Sequence, residues 1–407
     1  MKTSPFEKFQ RFLITVLIAV GFFYGGYYMG KRGYIFELRK NPPKIEVINR
    51  HPSDQKIDFA RFWEVWDLVS QDYLERPVDG QKMLWGAITG MVASLGDPYT
   101  SYLPPESNKS VQNALNGKYE GIGAELGIKD NVLVVVAPLD GSPAKAAGVK
   151  AGDYILKIDG VSTLGISVTD AVAKIKGNAG TVVTLTLQTG EEKARDVPIT
   201  RGVITISSVS WEDKGDGTLY IRVSRFGGET NTDWDKAVTE ANVKMKELDA
   251  VIVDVRGNPG GYLDSAVHLA GEFFINKPVL FKENALGQQE PFETTRVGIF
   301  QKVPKVIVLV DQGSASASEI LASALRDNIG ATLVGVKSFG KGTIQDAKDF
   351  SDGSGIHITI AKWLTPKKEW IHKKGIDPDV VVELTEENTK DGADPQLAKA
   401  LELAKQF

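Results

Sequence analysis

The 407-residue chain contains no cysteine. That excludes disulfides, thiolate nucleophiles, cysteine-ligated zinc and a lipid anchor on a cysteine. Histidine is almost as scarce. Four residues, His51, His268, His357 and His372, do not make a histidine-rich metal site, and neither a metal nor an organic cofactor is expected. A net charge of −4 gives no sign of a nucleic-acid partner. What is present reads as globular: 42% apolar and 25% charged residues can bury a real core. The length predicts two or three domains.

The N-terminus carries a membrane signal. "FLITVLIAVGFFYGGYYMG", Phe12 to Gly30, has no charge, and as a helix it would span roughly 28 Å, close to the hydrocarbon thickness of a bilayer. Lys2, Lys8 and Arg11 precede it, Lys31 and Arg32 follow it, and Tyr24, Tyr27 and Tyr28 suit an interface belt. No A-x-A cleavage site follows, which favours an uncleaved single-pass anchor over a removed signal. The expected orientation puts the short N-terminus inside and the body on the extracytoplasmic side, periplasmic or extracellular.

After residues 1–32, the anchor or signal, residues 33–53 read as a polar linker with Pro42, Pro43 and Pro52. Residues 54–114 form a helical segment, because Phe59, Phe62, Val65, Trp66 and Val69 recur at helical spacing and "GQKMLWGAITGMVASL" repeats the pattern. From 115 to 203 the texture changes. A strand "NVLVVVAPL" precedes "GSPAKAAGVKAGDYILKIDGVS", an amphipathic helix "SVTDAVAKIKG" and an alternating strand "TVVTLTLQTG". This order resembles a PDZ domain of the permuted bacterial type. The resemblance makes "EGIGAEL", with Gly121, Ile122, Gly123 and Ala124, the turn that receives a peptide's C-terminal carboxylate, the peptide adding as a strand.

Residues 204–372 alternate strands and helices. "DAVIVDV", "KVIVLVD" and "ATLVGVKS" are continuous apolar strands, which predicts a mainly parallel sheet covered on both faces. Ligands in such sheets sit at the carboxyl ends of the strands. Three loops should converge there: "RGNPGG", "DQGSASASE" and "SFGKGTIQ". Residues 373–407 end in the amphipathic "DPQLAKALELAKQF", which can pack on its own body or on a second subunit.

"GVKSFGKGT" fits G-x-x-x-x-G-K-[ST] up to its last place, where Gly342 stands instead of the hydroxyl that would hold Mg²⁺. Lys341 therefore needs another explanation. A serine becomes a nucleophile when a base takes its proton, and a lysine serves as that base when burial disfavours its charge. Ser314, Ser316 and Ser318 lie at a strand-to-helix junction, where N–H groups can hold an oxyanion or a serine can simply cap the helix. Gln345 is placed to orient the lysine. A Ser-His-Asp arrangement is disfavoured because His268 sits in an apolar helix and no G-x-S-x-G elbow occurs.

"GSASASEILASALRDN" and "VGVKSFGKGTIQ" together resemble the carboxy-terminal processing, or tail-specific, serine peptidases with an internal PDZ domain. "GAITGMVASLGDPYTSYLPP", "YEGIGAEL" and "DVRGNPGG" extend the likeness over nearly all the chain after the linker. The resemblance implies an α/β (α+β multidomain) protein. Its peptidase core would be of the ClpP/crotonase-like type, with an inserted PDZ domain and an N-terminal helical segment. It implies Ser316 as nucleophile, Lys341 as general base and Gln345 as its support. The oxyanion hole would come from the Ala317 N–H and a glycine N–H, Gly260 or Gly261. Glu319 and Asp327 read as helix charges, with support of the site as the alternative. The implied partners are proteins or peptides with exposed C-terminal tails. A membrane contact runs through the N-terminal helix, and a homo-oligomer or regulatory protein stays open. Whether the PDZ domain activates or blocks the site is open too. A non-catalytic PDZ scaffold is the rival reading.

Overall fold

A computed structural model of the chain describes residues 5–406, apart from 32–33, 41–42, 50–58, 130–131, 140, 191, 246, 386 and 390–392. Residues 1–84 and 85–407 are separate compact units. In the first, the helix Pro5–Lys31 carries the apolar run, and its Phe9–Met29 portion is long and apolar enough to cross a bilayer. The stretch expected as a linker differs from that expectation. Tyr34–Lys40 and Pro43–Asn49 pair antiparallel, with Tyr34 opposite Asn49 and Lys40 opposite Pro43. Ile45 and Val47 alternate with Lys44 and Glu46, a strand pattern the prolines obscured; Pro43 starts its strand, where a missing N–H is tolerated. Pro42, Pro52 and Ser53 lie outside the described residues. Helix Ala60–Asp72 follows.

The second unit is built on a six-stranded sheet in the order Val209–Asp213, Thr218–Val223, Ala250–Asp254, Lys305–Val310, Thr332–Gly335 and Val380–Val381. The first strand is antiparallel to its neighbour and every other pairing is parallel. Alternate residues serve two cores, as strand pleating requires. Val251 and Val253 face helices Thr230–Lys244, Leu263–Ala270 and Ala317–Ile329. Ala250 and Ile252 join Ala400 and Ala404 of the C-terminal helix Pro395–Ala404. Burial on both faces explains why these strands read as unbroken apolar runs. The sheet therefore extends past residue 372. The C-terminal helix, for which the sequence allowed two homes, packs on its own chain.

A second, antiparallel sheet runs Gln289–Glu293, Pro278–Asn284, Gly355–Leu364 and Thr343–Asp349. Ser101–Leu103 adds to Gly355–Leu364, so the stretch 54–114 is not one helical segment: its last part is a strand and helix of the second unit. Asn108, on helix Pro105–Leu115, donates to Asp349 Oδ1 at 2.8 Å and to Gly353 O at 3.1 Å.

The inserted domain has its own sheet, ordered Arg195–Thr200, Val182–Gln188, Tyr154–Ile158, Val132–Pro138 and Ala124–Lys129, and its own core around Val135, Ile155 and Leu185. Ser142 and Ser167 cap its two helices, accepting from the N–H groups of Lys145 and Asp170. The chain enters and leaves on adjacent antiparallel strands, Lys118–Gly121 and Gly202–Thr205.

Candidate active site

The three expected loops meet at the carboxyl edge of the parallel sheet, tied to one another by side chains. Asn258 is fully buried; its Nδ2 donates to Val223 O at 2.9 Å and its Oδ1 accepts from the Gly260 N–H at 2.9 Å. Its carbonyl accepts from the Ala315 N–H at 3.1 Å and from Ser318 Oγ at 2.9 Å. Ser314 Oγ donates to Val255 O at 2.8 Å, so the outer two serines of the run clasp loops together. Ser316 is left to face the cavity.

Ser316 is the N-cap residue of Ala317–Ile329, with φ 53° and ψ −114°. A non-glycine residue holds such a backbone only where its surroundings impose it, and these outliers cluster at functional sites. The imposing group is Glu319. It is 1% exposed and accepts four hydrogen bonds, each from an uncharged donor. Oε2 takes the N–H of Ser316 and that of Lys341, both at 2.9 Å; Oε1 takes Ser338 Oγ at 2.6 Å and the Gly340 N–H at 2.7 Å. One carboxylate thus fastens the serine to the lysine loop through charge-assisted bonds. The sequence reading preferred the duty of a helix-start charge for Glu319 and kept support of the site as the alternative; its hydrogen bonds fit the alternative. Its signal was the third place of a capping box, S-x-x-E, after Ser316. Asp327 is a helix charge as expected, 3.4 Å from Lys367 Nζ. The same bonds dispose of a phosphate loop, since the N–H groups that would cradle phosphate are taken by a carboxylate.

Lys341 shares with Ser316, Gly260, Gly261 and Gln345 a cavity of about 350 Å³, walled by Val111, Leu263 and Ile320. Burial pushes its amine below the ordinary lysine range, against the opposing pull of the Asp97 and Glu319 charges. Gly340 has φ 91°, and a Cβ at Gly342 would lie 2.8 Å from His372 N, so the flanking glycines are needed for close approach. Among the described residues no hydrogen bond joins Lys341 Nζ to Ser316 Oγ; Nζ lies 5.0 Å from the centre of the Tyr99 ring.

Gln345 lines the cavity but is not bonded to Lys341. Its Nε2 donates to Thr343 Oγ1 at 3.0 Å and to Thr359 Oγ1 at 3.1 Å. Ala317 is buried at the first helical position after Ser316. Gly260 packs against both: at φ 98°, an added Cβ would sit 2.7 Å from Ala315 O and 2.8 Å from Ser316 Cβ. Gly261 has φ 139° and lies against Phe226 O.

The turn "DPYT" lies beside Lys341, whose Nζ stands over the Tyr99 ring. Asp97 accepts from the Tyr99 N–H at 3.0 Å and from Thr100 Oγ1 at 2.7 Å. The Thr359 N–H in turn donates to Thr100 Oγ1 at 3.0 Å. Burial would raise the Asp97 pKa, but hydrogen bonds from Thr359, Thr100 and Tyr99 outweigh it and hold the carboxyl below its usual range.

Gly121, Ile122, Gly123 and Ala124 line a different cavity, a groove of about 410 Å³ between the edge strand Ala124–Lys129 and helix Val168–Ile175. Gly123 has φ 71°, and its Cβ would lie 2.5 Å from Ser142 Cβ. His268 is outside the Ser316 cavity, 2.9 Å from Asp235 Oδ1.

Models of three families match the chain: peptidase family S41 over residues 217–382, a PDZ domain over 134–189, and the N-terminal domain of the activating protease CtpB over 17–107. The chain is 37% identical over 377 residues to the carboxy-terminal processing protease CtpB of Bacillus subtilis, covering 91% of this chain and 77% of that protein. It belongs to peptidase family S41, the carboxy-terminal processing proteases. The peptidase is also 38% identical over 333 residues to CtpA of Bacillus subtilis, covering 81% of this chain and 70% of the relative. With the carboxyl-terminal-processing protease of Synechocystis it shares 38% identity over 346 residues, 83% of this chain and 79% of the relative. The peptidase is therefore a serine carboxy-terminal processing enzyme of mixed α/β fold with a PDZ domain.

Proposed function

We propose that Ser316 is the nucleophile of this peptidase and that neutral Lys341 is its general base. The observation that carries the reading is the shared grip of Glu319 on both residues beside one cavity. The lysine takes the proton of Ser316 Oγ as that oxygen attacks a peptide carbonyl. The Ala317 N–H and a glycine N–H hold the oxyanion. The Gly260 N–H is committed to Asn258 Oδ1, so we assign the second donor to Gly261. The lysine then protonates the leaving amine, and water hydrolyses the acyl-enzyme with Lys341 again as base. Gln345 orients the amine once it turns toward the serine.

The groove at Gly121–Ala124 receives the C-terminal carboxylate of an unfolded tail, which pairs with Ala124–Lys129 as an added strand. The apolar helix Phe9–Met29 anchors the enzyme, with the body on the extracytoplasmic side. The test is cleavage of an unfolded protein with an apolar C-terminal tail by the wild type, Ser316→Ala and Lys341→Ala, with products read by mass spectrometry. Cutting by the wild type alone supports the reading. Cutting by folded Ser316→Ala overturns it.

A further inference from the structure

We infer that Tyr99 is a positioning residue for the base: its ring face holds the Lys341 amine in a charged resting place away from Ser316. The inference rests on the serine–lysine reading above. The Tyr99 ring is 5.0 Å from Nζ, within the range of a cation–π contact, and the amine has no hydrogen bond to Ser316 Oγ. Gln345, the side chain expected to orient the amine, gives its N–H groups to Thr343 and Thr359 instead.

The ring is itself held. The Tyr99 N–H is tied to Asp97, the ring meets His372 edge-on at 6.1 Å, and His372 stacks on Trp370 at 5.2 Å. Trp370 Nε1 donates to Gly342 O at 2.8 Å, so this aromatic row is fixed to the lysine's own loop. A face held this firmly is a stable place for a cation.

An aromatic face attracts an ammonium and not a neutral amine. To act, the lysine leaves the ring, releases one proton to solvent, and then accepts the proton of Ser316 Oγ. The other groups facing it set the balance. Asp97, on the same turn as Tyr99, and Glu319, on the serine helix, favour the charged amine. His357, on the strand Gly355–Leu364, and His372 are both pushed below the ordinary histidine range, chiefly by burial; Lys341 adds to this at His357 and Lys373 at His372. The Tyr99 phenol is kept protonated by burial and by the Glu319 and Asp97 charges. Around the amine, the ring is therefore the uncharged group that distinguishes its two protonation states.

The test needs no substrate. The full chain in detergent is labelled with diisopropyl fluorophosphate, and the rate is followed from pH 5 to 10 by intact-protein mass. In the wild type the rate rises with pH through the lysine's pKa. Tyr99→Leu keeps the site apolar but removes the face. Its acid limb is expected to move down by roughly half a pH unit or more, while Tyr99→Phe stays in place. Tyr99→Trp, with a stronger face, moves the limb up and serves where the leucine variant does not fold. A leucine limb that stays or rises overturns the inference, as does a Tyr99→Phe limb that moves with it. A merely structural Tyr99 would lower the rate without shifting the limb. If Lys341→Ala labels like the wild type, the serine–lysine reading fails and the inference falls with it; if only the Tyr99 shift is missing, that reading stands.

Discussion

At Ser316 the backbone does the holding. Its φ of 53° is imposed by the Glu319 bond to its N–H, by the helix that follows and by Gly260 packed beneath. At Lys341 the same carboxylate holds the backbone, but the amine at the far end of the side chain lies against the Tyr99 ring. On the proposed mechanism the nucleophile is built once and stays, and the base has somewhere else to be. Rigid placement suits the atom whose geometry the oxyanion donors must match within fractions of an ångström. A flexible amine with a lowered pKa suits a proton carrier that must reach Ser316 Oγ, a leaving amine and a water in turn.

Four changes test that contrast, the largest first. Glu319→Ala leaves four donors without their acceptor, two of them buried, at about 1–3 kcal/mol for each buried one. Urea denaturation should show a loss of several kcal/mol, and turnover should vanish. A Glu319→Ala enzyme that folds and cuts like the wild type would break the comparison outright. Gly260→Ala acts on the serine side alone, because the new methyl meets Ala315 O and Ser316 Cβ. Turnover is expected to fall by about a hundredfold or more, with KM little changed, through a displaced oxyanion site. A proportional rise in KM with kcat intact would put Gly260 in substrate binding instead.

The third concerns pH and the lysine side. Burial lowers the Lys341 pKa, so the neutral, working amine is present above that pKa and is lost as pH falls through it. Hydrolysis should fall toward acid with a single ionisation that disappears from the residual rate of Lys341→Ala. A profile flat from pH 5 to 9 would count against a lysine base. The smallest effect belongs to His268, which contacts Asp235 and Arg296 and not the cavity. His268→Ala should retain turnover and lose about 1 kcal/mol of stability by thermal denaturation. Loss of turnover in a folded variant would restore a histidine-based mechanism.

Much of this fold was legible because local patterns matched their tertiary uses. Ala250–Asp254 and Lys305–Val310 are unbroken apolar runs, and both faces of their sheet are in fact covered. "SVTDAVAKIKG" reads as an amphipathic helix, and the helix Val168–Ile175 lies within it, capped by Ser167. The loops carrying Ser316 and Lys341 could be placed on one sheet edge from the strand pattern alone, since parallel strands present their carboxyl ends together. The hairpin Tyr34–Asn49 was lost because prolines outweighed a short alternation.

Arg256 shows what stayed hidden. It binds Asp254 two residues away and, across 138 residues, both carboxylate oxygens of Asp394 at the start of the C-terminal helix. Burial would lower its pKa, yet the hydrogen bonds to Asp394 and Asp254 raise it well above the ordinary range. Nothing local in "DVRGN" announces that partner.

By itself the sequence determined the elements and the family and pointed to Ser316 and Lys341 as the proposed nucleophile and base, because propensity, periodicity and motif are properties of neighbouring residues. Tertiary structure decided that Glu319 couples those two residues, that Gln345 turns to threonines, that "DPYT" lies beside the lysine, and where the lysine amine rests. Each of these depends on contacts between groups far apart in the chain, and a carboxylate or an aromatic ring carries no local mark of the partner that folding will bring to it.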